Sequence, residues 1–129
     1  MSVPLAPILR LRELALALPE AHEVEAWGEP TFRVRNKIFA MHADPDNHHG
    51  KGRPAVWVKA AAGVQESMVA AAPDCFFRPP YLGPKGWVGV WLDGVVDWED
   101  VAEFVQDSYR LIAPKRLSAR LSSEAESDD

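Results

Sequence analysis

Residues 79–94 read Pro-Pro-Tyr-Leu-Gly-Pro-Lys-Gly-Trp-Val-Gly-Val-Trp-Leu-Asp-Gly. A stiff Pro/Gly loop runs directly into an apolar run bounded by a second glycine, and that pattern predicts a strand. Strand side chains alternate, so Val88, Val90 and Leu92 share one face while Trp87, Gly89 and Trp91 share the other. One face is aliphatic and the other is aromatic with a gap. A strand apolar on both sides belongs in the middle of a sheet, here an antiparallel one. The aliphatic face is expected to meet helices, and the tryptophan face is the candidate working surface.

The rest of the chain supplies those helices and neighbours. Leu11, Leu14, Ala15 and Leu18 follow the spacing of one buried helical stripe, opened by Pro7 and stopped by Pro19. Residues 23–27 alternate as an edge strand. Thr31–Val34 and Lys37–His42 form a predicted hairpin around Arg35-Asn36, with Phe32 and Val34 inward and Thr31 and Arg33 outward. Ala55–Lys59 is another strand, Val64–Ala71 a short helix, and residues 75–78 a short strand. Asp97 is placed to cap a last helix, with Glu99 and Asp100 favourable in its first turn. Val101, Phe104, Val105, Ser108, Leu111 and Ile112 form its expected inward stripe. This order predicts an α+β fold, a two-layer sandwich with helices packed on one face of an antiparallel sheet. Residues 1–117 form the single domain that 129 residues can support. Residues 118–129 are Ser, Ala, Glu and Asp with one Arg and one Leu, a composition expected to stay disordered.

The net charge of −5 argues against nucleic acid on its face, but the distribution is uneven. Residues 1–29 carry −3, residues 30–92 carry +4, residues 93–117 carry −3 and residues 118–129 carry −3. The sheet region is basic and the flanking helices are acidic. On the face away from the helices the alternation places Arg33, Trp57, Lys59, Trp87 and Trp91. Arg35 and Lys37 belong to the hairpin tip, Lys51 and Arg53 to the polar loop after residue 43, and Lys85 to the Gly/Pro loop. Cations neutralise phosphates and flat rings stack on bases, so these ten residues are the candidate nucleic-acid site. The plain competing reading is that the tryptophans plug one another, or are covered by arginines or the long loop.

Several chemistries find no support. One cysteine excludes an intrachain disulfide and fits a reducing cytoplasm, the expected location. Cys75, beside Phe76 and Phe77, reads as a small buried hydrophobe, and His22 and His42 as surface or strand-end residues. Arg10, Arg12 and Glu13 interrupt the N-terminal apolar run, so neither a signal peptide nor a membrane partner is expected. Gly83-Pro84-Lys85-Gly86 lacks the phosphate-loop pattern and leads into a strand. Asp44, Asp46, His48 and His49 have metal-ligand types without ligand spacing, so no metal or other cofactor is expected. No nucleophile motif is present, and the expectation is a protein that is not an enzyme.

Residues 26–34 with 37–40, then Pro80–Leu82, residues 86–90 and 92–94, and finally Ser108–Leu111 with Pro114-Lys115, resemble in order the YjbR/MmcQ-like family. The likeness spans roughly residues 6–117. It implies a frataxin-like (CyaY-like) sandwich and DNA binding through two basic wings. Many members carry a small polar-basic run before the tryptophan; here Gly83-Pro84-Lys85-Gly86 fills that place, with Lys85 its one cation. The resulting expectation is a non-enzymatic DNA- or RNA-binding protein. The alternative is a protein-interaction module using the tryptophan face. A further alternative, implied by the frataxin-like fold, is iron binding by the acidic cluster Glu13, Glu20, Glu23, Glu25 and Glu29.

Overall fold

The computed structural model describes residues 6–44, 52–93 and 96–127. Helix α1 (Pro7–Leu16) is followed by strands β1 (His22–Ala26), β2 (Glu29–Val34), β3 (Lys37–Ala43) and β4 (Ala55–Lys59). Helix α2 (Val64–Ala71), strand β5 (Phe76–Phe77), a 3-10 turn (Gly83–Lys85) and strand β6 (Trp87–Trp91) come next. Helices α3 (Trp98–Ile112) and α4 (Lys115–Ser127) close the chain. The six strands form one antiparallel sheet in the order β1-β2-β3-β4-β6-β5. The strand with tryptophans at both ends is therefore interior, between β4 and β5, as its two apolar faces require.

Two hairpin turns set the register. Arg35 (φ 51°) and Asn36 (φ 63°) both adopt left-handed backbone, the geometry of a two-residue turn that matches strand twist. Trp27 (φ 55°) and Gly28 (φ 75°) repeat it between β1 and β2. Between Phe32 and Arg33 the pairing with β3 slips, which makes Phe39 a bulge residue. The sequence carries its trace in the adjacent apolar pair Ile38-Phe39, which breaks alternation. The bulge turns Phe39 to the helix side, where its ring meets Tyr109 edge-on at 5.3 Å.

The aliphatic face is covered as expected. Phe32, Val34, Val56, Val58, Val88 and Val90 form one core with Leu11 and Ala15 of α1 and Val101, Val105 and Tyr109 of α3. Asp97 caps α3, its carboxylate accepting the N–H groups of Glu99 (2.9 Å) and Asp100 (3.3 Å). Three details differ from the expectation. Leu111 is exposed, and Tyr109 takes the inward place, donating its hydroxyl to the Pro19 carbonyl at 2.6 Å. Cys75 is exposed, because it lies in the turn before β5 while its neighbour Phe76 packs edge-on against Phe104. The chain past Ser118 continues as α4 where composition pointed to disorder, with Leu117 and Leu121 buried in the core. Two leucines four residues apart on one helical face provide the anchorage that average composition hid.

Among the described residues no helix is long and apolar enough to cross a membrane.

Candidate nucleic-acid interface

The tryptophan face carries a second core. Met41, Ala43, Ala55, Trp57 and Trp87 are buried together, with Ile38, Phe77, Leu82 and Trp91 packed against them. Trp57 is 1% exposed and Trp87 6%. The gap at Gly89 is filled rather than open. Phe77 lies directly over it, so that a Cβ on Gly89 would sit 2.1 Å from the Phe77 ring. The same ring stacks on Trp91 at 4.1 Å with planes 25° apart. Trp57 and Trp87 are therefore core residues with no free ring face for a base. This corrects the expected working surface, for nucleic acid and for a protein partner alike. Alternation fixes which residues share a face, but it carries no information about what covers that face.

The ten candidate residues separate along the strands. Antiparallel pairing puts the Arg35-Asn36 turn, Lys59 and the start of β6 at one end of the sheet. The polar loop after β3 leaves from the other end. Ala55 and Lys59, at opposite ends of β4, are about 13 Å apart. Arg33, Arg35, Lys37, Lys59, Lys85 and Trp87 thus gather at the hairpin end. Arg53 and Trp91 belong to the far end, and Lys51 lies outside the described residues. The loop residues Asp46, His48 and His49 also lie outside them.

The two ends differ in charge pairing. At the far end Arg53 forms a two-pronged ion pair with Asp93 (2.9 and 2.8 Å) and covers the Trp91 ring at 4.2 Å. Those hydrogen bonds hold the Asp93 carboxyl below the usual carboxylate range. Here an arginine does cap a tryptophan, so neither is available to a ligand without breaking the pair. Glu29 is fully buried nearby and accepts the Asp44 N–H with both oxygens (3.0 Å each). Burial pushes its carboxyl up and the His42 imidazole down. His42 is 5% exposed, against the expectation of a surface residue, because it sits in one row with Val56 and Val90 under the helices.

At the hairpin end Arg35 pairs with Glu20 (2.9 Å), and Arg33 donates to Thr31 and Asn36 (3.1 and 3.3 Å). The side chains of Lys37, Lys59 and Lys85 form no ion pair or hydrogen bond among the described residues. Lys59 is placed by its backbone. Buried Ser108 accepts the Lys59 N–H (2.9 Å) and donates to the Phe39 carbonyl (2.6 Å), stitching β4 to the bulge of β3. Arg78, which the sequence reading put in a strand and did not count, joins this end next to Lys59 and Lys85. Its signal was position alone, a cation directly before the Pro79-Pro80 loop.

The acidic cluster disperses. Glu23 pairs with Arg12 (2.7 Å), Glu20 with Arg35, and Glu29 is buried on Asp44. Among the described residues no group of three His, Cys, Asp or Glu converges as metal ligands would.

The YjbR family model matches residues 16–111. The chain belongs to the YjbR family. Among curated proteins none matches this chain. In fold, this YjbR chain is similar to the crystal structure of Deinococcus radiodurans protein DR2400, which carries a DUF419 domain. The TM-score is 0.70 and the identity 22%, over 91% of each chain. That identity supports the shared fold alone. The matched span of this YjbR chain begins at the end of α1 and stops inside α3, so it contains every candidate residue and leaves α4 outside.

Proposed function

We propose that this YjbR protein is a non-enzymatic nucleic-acid-binding protein that holds phosphates at the hairpin end of its sheet. Arg33, Lys37, Lys59 and Lys85 make the contacts, and the tryptophans support the scaffold rather than stack on bases. One observation carries the reading. The hairpin and the Gly/Pro loop bring Lys37, Lys59 and Lys85, none of them in an ion pair among the described residues, to one end, whereas Arg53 at the other end is neutralised by Asp93. Lysines outside any ion pair gain from a polyanion, and each neutralised phosphate releases condensed counterions. A protein partner on the tryptophan face has less support, since only Trp91 reaches the surface and it is covered by Arg53 and Phe77.

Fluorescence anisotropy with labelled single- and double-stranded oligonucleotides across a salt series tests this. Three to four phosphate contacts should give a log–log salt slope of about −2 to −3.5. Replacing Lys37 and Lys85 together by Gln should flatten it by roughly two contacts' worth. Binding at low salt no tighter than that of an unrelated acidic protein would remove the reading.

A further inference from the structure

Beside the hairpin end lies a cavity of about 380 Å³, formed where the end of β4, the start of α2 and the 3-10 turn before β6 meet. Three cations line it, Lys59, Arg78 and Lys85, against one carboxylate, Glu66. None of the three forms an ion pair or a side-chain hydrogen bond among the described residues, Glu66 included. In contrast, Arg12, Arg35, Arg53 and Arg110 are each paired with an acid.

The cavity has a fixed frame. Gln65 is 4% exposed, and its amide donates to the Gly83 carbonyl at 2.8 Å and to the Trp87 carbonyl, tying the 3-10 turn to α2. A Cβ on Gly83 would lie 2.6 Å from Cγ of Arg78, so only glycine lets the Arg78 stem cross the turn. Helix α2 begins at Gly63, which has no side chain to accept the first N–H groups. The start of the helix therefore adds positive potential to the three side chains.

We propose that this cavity binds a phosphomonoester. A net charge of two positives suits a group carrying −1.5 to −2 near neutral pH, and a guanidinium matches its oxygens in pairs. The proposal rests on the nucleic-acid reading to the extent that Lys59 and Lys85 serve both. The monoester is then the phosphorylated end of a strand. A free phosphorylated small molecule offers the same chemistry.

The full-length protein is titrated with one oligonucleotide in 5′-phosphorylated and 5′-hydroxyl forms, and separately with adenosine 5′-monophosphate and inorganic phosphate. The phosphorylated end should bind about tenfold tighter, as charge-assisted hydrogen bonds allow, and inorganic phosphate should erase the difference. Arg78→Gln should bring the two forms within about twofold, with Arg78→Lys retaining part of the preference. Gly83→Ala, which displaces the Arg78 stem, should act like Arg78→Gln at unchanged far-ultraviolet circular dichroism. Equal binding of the two oligonucleotides, with no response to either small phosphate, overturns this site while leaving the nucleic-acid reading in place. Arg78-dependent binding of the monophosphate without binding of either oligonucleotide supports the site, assigns it to a small molecule and removes the nucleic-acid reading. Both comparisons use the unaltered protein first, so misfolding of a variant does not decide the outcome.

Discussion

The two faces of the sheet bury apolar side chains by different means. The helix face is broad, mostly aliphatic with Phe32, Phe39 and Tyr109 among its side chains, and roofed by α1, α3 and α4 through Leu11, Val101, Val105 and Leu121. The opposite face has no helix over it among the described residues. It is sealed by a few large rings, with Phe77 laid over Gly89 and against Trp91, and Leu82 closing the approach to Trp87. Many contributions, small and large, support the first face, while a few large ones support the second. The first should tolerate single truncations better.

The sharpest way to break this comparison is Trp57→Ala. Trp57 is the largest fully buried side chain among the described residues, and its loss should cost about 3–5 kcal/mol, as buried aromatic truncations do. Urea denaturation measures it. A loss below about 1 kcal/mol would mean that the ring face is a surface patch and not a second core.

Gly89→Ala asks the same question with one methyl group. The new Cβ meets backbone-anchored Phe77 at an impossible 2.1 Å, so either the ring or strand β5 must move. Overpacking of this kind costs about 1–3 kcal/mol. Phe77→Ala in the same chain should recover part of that loss, and a double-mutant cycle on midpoint shifts reads the coupling. Strict additivity would show that Phe77 does not occupy the gap in solution.

Much of the fold was legible because it rests on local periodicity. The alternation in residues 87–91, the Arg35-Asn36 turn, the Asp97 cap and the stripe of α1 each involve neighbours in sequence, and each falls where the pattern puts it. What was not legible depends on distant partners. Phe77 over Gly89, Arg53 on Asp93 and Ser108 clamping Lys59 to Phe39 join residues 12 to 69 positions apart. The candidate site suffered for that reason. Residue type singled out the cations of the sheet region, but only the strand order separates Lys37, Lys59 and Lys85 from Arg53. Arg78 was missed because its placement depends on Gly83, five residues on, and on a helix before it. Composition missed the anchorage at Leu121 because averaging over twelve mostly polar residues hides one well-placed leucine.

The smallest expected effect is a pH dependence, and it concerns a buried titratable group in the helix face. His42 occupies the row of Val56 and Val90, and its Nδ1 has no hydrogen-bond partner among the described residues, with the Glu29 carboxylate 3.7 Å away. Burial is the largest influence on it and lowers its affinity for a proton; Asp44 opposes that shift and Arg12 reinforces it. The folded protein therefore binds this proton less readily than the unfolded chain, whose histidine titrates near 6.5. As pH falls from 7 through that value, the unfolded state takes up a proton that the folded state refuses, and stability drops. Glu29 acts in the opposite sense. Burial raises its pKa above the ordinary 4.5, so below that raised value the folded state gains protons first and recovers stability. Melting midpoints measured from pH 7 to about pH 5.5 should therefore decline in the wild type and flatten in His42→Asn. A decline of equal size in His42→Asn would assign it to other groups. A wild-type midpoint that rises over the same interval would mean that Glu29 governs this end of the sheet, its buried carboxylate outweighing the imidazole above it.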